Sequence, residues 1–193
     1  MEKTLIILKP DSVQRGLVGE IISRFERAGL KMIAAKMVRV KKSLADQHYP
    51  KSRREFVAGM GQKTLNRYKS QGIEPLKHIG TDDPYKIGLV IQDWLVKSIT
   101  ESPVIAIVLE GPNAVELVRK ICGQTFPIDA EPGTIRGDLS FDSPSLANEQ
   151  KRPVRNLVHA SGNLAEAKHE VNLWFTKAEL HAYDTIHQKH MTS

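Results

Sequence analysis

Residues 4–8 form a short aliphatic and β-branched run, the length of a buried strand. The run stops at Lys9-Pro10-Asp11, where proline cannot continue a central ladder. Leu17, Ile21, Ile22, Phe25 and Leu30 then recur at helical spacing, with Glu20, Arg24 and Arg27 on the opposite face. This predicts an amphipathic helix closed at Gly29. Residues 31–40 read as a second strand, after which Ser43 caps a short helix running toward His48 and Tyr49. Pro84 suits the first turn of a helix whose stripe is Ile87, Val90, Ile91, Trp94, Leu95 and Ile99. Residues 103–109 give the strongest strand signal, residues 114–121 a short helix closed by Gly123, and residues 165–175 a last helix. Leu157-Val158 is apolar but too short to assign alone.

Three stretches interrupt this rhythm. Residues 50–83 are polar, carry Lys51, Arg53, Arg54, Lys63, Arg67, Lys69 and Lys77, and show little periodicity, which reads as an insertion. Residues 125–138 read as a loop rich in proline and glycine, and residues 141–153 as a second, smaller insertion of turn composition. Without the insertions the order is β-α-β-α-β-α-loop-β-α. That order suits an α+β, ferredoxin-like (split βαβ) fold, a four-stranded antiparallel sheet with helices on one face. The expectation is one domain over residues 1–193, with insertions at about 50–83 and 141–153.

Composition narrows the class. The 193 residues include a single cysteine, Cys122, which excludes an internal disulfide framework and a cysteine-based zinc knuckle. No apolar run has the length of a membrane span, and the N-terminus does not read as a signal peptide, so the expected compartment is the cytoplasm. The formal charge of +6 favours a polyanionic partner, nucleotide or nucleic acid, and fits a solvated basic face equally well.

Four clusters carry candidate chemistry, and each has a bland reading beside it. Lys9 follows a strand and can meet a phosphate over the sheet edge, or be a surface lysine at a turn. Arg119, Thr125 and the run Pro132-Gly133-Thr134-Ile135-Arg136-Gly137-Asp138 offer two guanidinium forks, a hydroxyl and glycine-rich backbone. That inventory binds phosphate, although Arg136-Gly137-Asp138 alone is also an ordinary charged turn. No Walker loop occurs. In Arg155-Asn156-Leu157-Val158-His159-Ala160-Ser161-Gly162 a histidine sits at a strand end, where it can face a cleft or pack in the core. Tyr85 and Leu89, one helical turn apart, can clamp a base or form part of a core stripe.

Taken together, these residues resemble the nucleoside diphosphate kinase family. The resemblance is carried by residues 4–22, by Glu131-Pro132-Gly133-Thr134-Ile135-Arg136-Gly137-Asp138, and by Asn156-Leu157-Val158-His159-Ala160-Ser161 with Glu170, Leu173, Trp174 and Phe175 beyond. It implies γ-phosphate transfer from a nucleoside triphosphate, ATP as the expected donor, to a nucleoside diphosphate by a ping-pong route. His159 would be the phosphorylated nucleophile. Lys9 would contact the transferred phosphate and the sugar, with Tyr49 beside it. Arg119 and Thr125 would hold the β-phosphate, Arg136 the γ-phosphate and Asn156 the sugar. Glu170, through Ser161 and the imidazole, would fix the ring. Mg²⁺ would ride on the phosphates with few protein ligands.

The base clamp matches at Tyr85 and Leu89, with a rival register at Phe56. The resemblance also implies a homo-oligomer, hexamer or tetramer, and no membrane partner. Two positions depart from the family pattern. Ala160 stands where glycine is usual, and would be strained if the turn needs a positive φ. Gly162 stands where an aspartate is usual, removing an outer-shell partner of the Mg²⁺ complex. Lower activity or an altered metal dependence is the expected consequence. A ferredoxin-like nucleic-acid-binding module and a catalytically weak relative are the alternatives. The first lacks the aromatic strand motif of RNA-binding domains, and the second is opposed by the intact Lys9, Arg119, Arg136, Asn156 and His159.

Overall fold

The computed structural model describes residues 1–192. The elements, in chain order, begin β1 (Glu2–Leu8), α1 (Pro10–Gln14), α2 (Val18–Arg27), β2 (Lys31–Val38), α3 (Lys42–His48) and α4 (Arg54–Gln71). There follow α5 (Pro75–Ile79), α6 (Pro84–Glu101), β3 (Val104–Gly111), α7 (Ala114–Cys122), α8 (Ile135–Leu139), α9 (Pro144–Glu149), β4 (Val158–Ala160), α10 (Leu164–Trp174) and α11 (Ile186–Thr192). Two compact units share them. The first holds residues 1–39, 103–141 and 156–193, and the second residues 40–102 and 142–155.

The first unit is the four-stranded sheet, in the order β2-β3-β1-β4 with every neighbouring pair antiparallel. Each β-α-β crossover therefore skips one strand, which is the split βαβ arrangement the chain order predicts. Side chains alternate between the two faces of a strand. Ile6 and Leu8 of β1 pack with Ile107 and Leu109 of β3 beneath Ile21 and Phe25 of α2 and Val118 of α7. Leu5 and Ile7 point the other way and are equally buried, because α10 packs over β1 from that side. A strand buried on both faces reads as a continuous apolar run rather than an alternating one, and residues 4–8 have that pattern.

After α10 the chain returns along β2. His181 N donates to Ile33 O at 2.9 Å, and the Tyr183 hydroxyl to Met32 O at 2.7 Å. Glu179 accepts from Lys36 Nζ at 2.6 Å and closes a capping box with Thr176. The Lys36 and Thr176 hydrogen bonds draw its carboxyl down to a pKa of about 2.

Two stretches differ from the sequence reading because their signals are local caps. Within 125–138, Thr134 Oγ1 accepts from Gly137 N and starts α8. Within 141–153, Ser143 caps α9 the same way through Leu146 N. The cap of α3 is Lys41, one residue outside the helix, rather than Ser43.

The second unit gathers both stretches read as insertions. Residues 54–71 are one long helix, and the buried positions of α4 are Val57, Gly61, Thr64 and Tyr68. These keep helical spacing, but two of the four are glycine and threonine, so hydropathy alone hides the stripe. The glycine is a packing device. A Cβ on Gly61 would overlap the Pro84 carbonyl oxygen, and one on Gly88 of α6 would overlap that of Val57. The two backbones meet at this crossing with no side chain between them. From α9, Asn148 Nδ2 donates to the Tyr68 hydroxyl and Ser145 Oγ to Gln71 Oε1, both at 2.6 Å. Asp142 closes the segment by pairing with the Arg152 guanidinium and accepting from Arg155 N at 2.7 Å.

The glycines of α4 are expected to respond in opposite directions. Gly59 has open space where a Cβ would go, so Gly59→Ala should stabilise by about 0.5–1 kcal/mol through helix propensity. Gly61→Ala should destabilise by about 1–3 kcal/mol, because overpacking outweighs that gain. Urea unfolding of the two variants checks the pair.

Candidate active site

The site begins at the end of β1. Lys9 is 7% exposed, and its Nζ donates to Asn156 Oδ1 at 2.5 Å. Asn156 in turn donates from Nδ2 to the Thr125 carbonyl at 2.8 Å. The next residues of the Lys-Pro-Asp-Ser run grip the opposite segment. Leu157 N donates to Asp11 Oδ2 at 3.0 Å, while Leu157 O accepts from Ser12 Oγ at 2.6 Å and from Lys9 N at 2.8 Å. Leu157 is fully buried and left-handed, at φ +67°. A left-handed leucine costs about 1–2 kcal/mol, whereas burying its side chain returns about 1.5–3 kcal/mol. Burial therefore outweighs the strain, and the fixed bend sets the direction in which β4 leaves.

His159 lies on β4 opposite Ile7. Its ring is 18% exposed, and Nε2 stands 2.9 and 3.0 Å from the two oxygens of Glu170 on α10. Glu170 is buried and also accepts from Ser161 Oγ at 2.6 Å. Ser161 Oγ accepts in its turn from Leu5 N, which ties the pair to β1. An ionised carboxylate only accepts hydrogen bonds, so Nε2 carries the proton. In the neutral ring Nδ1 then keeps its lone pair, which makes it the nucleophilic nitrogen.

Arg136 is 8% exposed and reaches the same strand from α8. Its Nε donates to Asn156 O, Nη1 to the carbonyls of Gly123 and Gln124, and Nη2 to Val158 O at 2.6 Å. Burial lowers its pKa, with Cys122 and Asp11 opposing the shift. It remains a fixed cation fastened to backbone carbonyls before and within β4 and just after α7. Arg119 and Thr125 are exposed, Arg119 near the end of α7 and Thr125 in the loop beyond it. Cys122 is buried, which pushes its thiol up to about 11, the Arg136 and Arg119 charges opposing. It packs rather than reacts.

Hydrogen bonds thus join Lys9, Asn156, Arg136, Ser161, Glu170 and His159, or their backbone neighbours, into one group within the first unit. Tyr49, Tyr85 and Leu89 belong to the second unit. Tyr49 is buried edge-on against His48, ring centroids 4.5 Å apart, and its carbonyl accepts from Gln92 Nε2. Tyr85 is half-buried in the first turn of α6 under the Arg54 guanidinium, and Phe56 lies under that of Arg53. Leu89, one turn on, is half-buried.

Asp11 and Ser12 fix the backbone two residues before His159, a role that the sequence reading did not assign to them. Their adjacency to Lys9 was the available signal, but the role depends on a partner about 145 residues away. Ala160 carries no strain, since it ends β4 opposite Ile6 and is absent from the positive-φ positions of the described residues. The Gly162 N–H donates to Glu166 Oε2 at 2.8 Å.

Comparison with known proteins gives a consistent picture. The sequence model of the family described as Nucleoside diphosphate kinase matches residues 2–63 and 90–180. A nucleoside diphosphate kinase of Pyrobaculum aerophilum is 53% identical over 93% of this chain and 98% of its own. One from Borreliella burgdorferi is 40% identical over 95% and 92%. The crystal structure of an NDP kinase from Pyrobaculum aerophilum superposes with a TM-score of 0.89 at 52% identity, covering 94% of this chain and 99% of that one. A transition-state mimic of the Borrelia burgdorferi enzyme, with vanadate and ADP bound, gives 0.77 at 39% identity over 98% and 95%.

The Leu157 clamp predicts a stability difference. Asp11→Ala leaves a buried N–H without its acceptor and should cost about 1–3 kcal/mol in denaturant unfolding. Asp11→Asn retains an oxygen at that point and should lose well under half as much.

Proposed function

The chain belongs to the nucleoside diphosphate kinase family, and on that premise we propose that its phosphoryl transfer between nucleotides runs through His159. The observation that carries this reading is the geometry of Glu170, which accepts a hydrogen bond from the protonated Nε2 and so leaves Nδ1 as the nucleophile. Nδ1 attacks the γ-phosphorus in line. The N–P bond forms as the bridging P–O bond breaks, and the electron pair leaves with the β-phosphate of the departing diphosphate. A terminal oxygen of the second nucleoside diphosphate then attacks the phosphohistidine, restoring neutral His159. Phosphoryl transfer asks chiefly for positioning and charge neutralisation. Lys9 and Arg136 supply fixed positive charge at the strand that carries the histidine. Arg119 and Thr125 take the β-phosphate, and Asn156 the sugar.

The donor set bonded to the His159 ring is the Glu170 carboxylate, which Ser161 Oγ also engages. It fits an Mg²⁺ that arrives on the nucleotide, held by phosphate oxygens and water rather than by a protein cage. When bound, the ion screens phosphate charge. Tyr49 beside the γ-phosphate and assembly as a homo-oligomer follow from the family resemblance, and a cytoplasmic location from the sequence reading. No helix of the described residues is long and apolar enough to cross a membrane. No observation favours a nucleic-acid-binding module.

The base clamp has two readings. One uses Tyr85 and Leu89 of α6. The other uses Phe56 of α4, and the bounds of the family match favour it, since Phe56 lies inside residues 2–63 while Tyr85 and Leu89 fall between the matched stretches.

Two experiments bear on this reading. Incubation with γ-labelled nucleoside triphosphate should leave an acid-labile, base-stable label on the wild-type chain and none on His159→Ala. A wild type that takes no label would refute the route. For the clamp, loss of a stacked ring costs about 1–3 kcal/mol. Phe56→Ala should therefore raise the nucleotide KM about tenfold while Tyr85→Ala changes it little. The reverse order would return the clamp to Tyr85 and Leu89.

A further inference from the structure

The turn after the nucleophile contains a glycine whose missing side chain is replaced by another residue. A Cβ built on Gly162 would overlap Glu166 Oε2, and Arg119 Nη1 lies 4.0 Å from the same point. The Glu166 carboxylate accepts from Gly162 N at 2.8 Å. Glu166 sits in the first turn of α10, one helical turn before Glu170, and is half-buried. Asn163 caps that helix by accepting from Glu166 N at 2.9 Å. The backbone of Glu166 is thus fixed by the cap and its side chain by the turn. The volume beside Gly162 holds a carboxylate after all, delivered from the helix rather than from the turn.

We propose that Glu166 is a positioning residue of the phosphate end, supplying beside Arg119 the negative charge that Gly162 does not carry and orienting the water shell of a nucleotide-bound Mg²⁺. The proposal rests on the reading of Arg119 as a β-phosphate ligand. It also alters the consequence expected of Gly162, because the carboxylate is relocated rather than lost. Charge and hydrogen bond are separable here. Glutamine at 166 still offers an oxygen to Gly162 N but carries no charge, so Glu166→Gln tests the charge with the turn held. Gly162→Asp alone sets a second carboxylate against that of Glu166, which must give way to it. Combined with Glu166→Ala, it puts one back where one was removed.

The test is ADP binding by calorimetry across an Mg²⁺ titration and in EDTA, with phosphoenzyme labelling of the same samples. Outer-shell partners tune metal affinity by about 10–100-fold. Glu166→Gln should raise the Mg²⁺ concentration that half-maximally tightens ADP by about tenfold, while binding in EDTA stays within about twofold. Glu166→Ala should show the same shift or more, and Glu166→Ala with Gly162→Asp should recover most of it. Gly162→Asp alone should weaken binding. An unmoved Mg²⁺ midpoint in Glu166→Gln, on a chain that binds ADP and labels normally, overturns the role of Glu166 alone. So does a single Gly162→Asp variant that matches the double variant. A wild-type chain that neither binds ADP nor takes label overturns this proposal together with the reading beneath it.

Discussion

The bend at Leu157 is the constraint on which the rest of the site depends. Its N–H and C=O are both taken by residues that follow β1, so the segment before the nucleophile is fixed to the strand beside it. From that bend β4 needs only three residues to present His159. So short a strand holds little pairing energy of its own. The other ties come from side chains: Arg136 on the carbonyls of Asn156 and Val158, Ser161 on Leu5, and Glu170 on the imidazole. His159 is held by hydrogen bonds that begin just after the central strand β1 and end on it at Leu5.

Much of this was legible before any coordinates. The even burial of β1 follows from its unbroken apolar run, and the stripes of α2 and α6 carry ordinary helical spacing. The elements that escaped notice share a physical cause. The buried face of α4 includes Gly61 and Thr64, chosen for closeness to a neighbouring backbone rather than for hydropathy. Short helices α8 and α9 start on single hydroxyl caps inside stretches whose composition reads as loop. In the site, residue types pointed to Lys9, Arg136 and His159. The work of Asp11 and Ser12 was invisible because it is performed on a backbone that only the fold brings near.

Two carboxylates on one face of α10 illustrate how environment divides labour. Glu170 is buried, with its oxygens on a ring nitrogen and a hydroxyl, so its task is to fix a proton at Nε2. Glu166, one turn earlier and half-buried, meets a backbone N–H at the turn beside an arginine. Residues four apart on a helix point the same way. A single helix therefore carries both carboxylates, and moving one would move the other.

Arg136 completes this logic from the opposite side. A guanidinium has five N–H donors in a fixed fork, and four backbone carbonyls already draw on those of Arg136. The place of this charge is settled at folding, by bonds to the backbone. Preorganised charge of this kind is worth most where water is excluded, and a side chain only 8% exposed meets that condition. A lysine could match the charge but not the four directions, so the geometry requires arginine. The hydrogen bonds from Arg136 to β4 and the residue before it are in this sense also the ones that hold its charge in place.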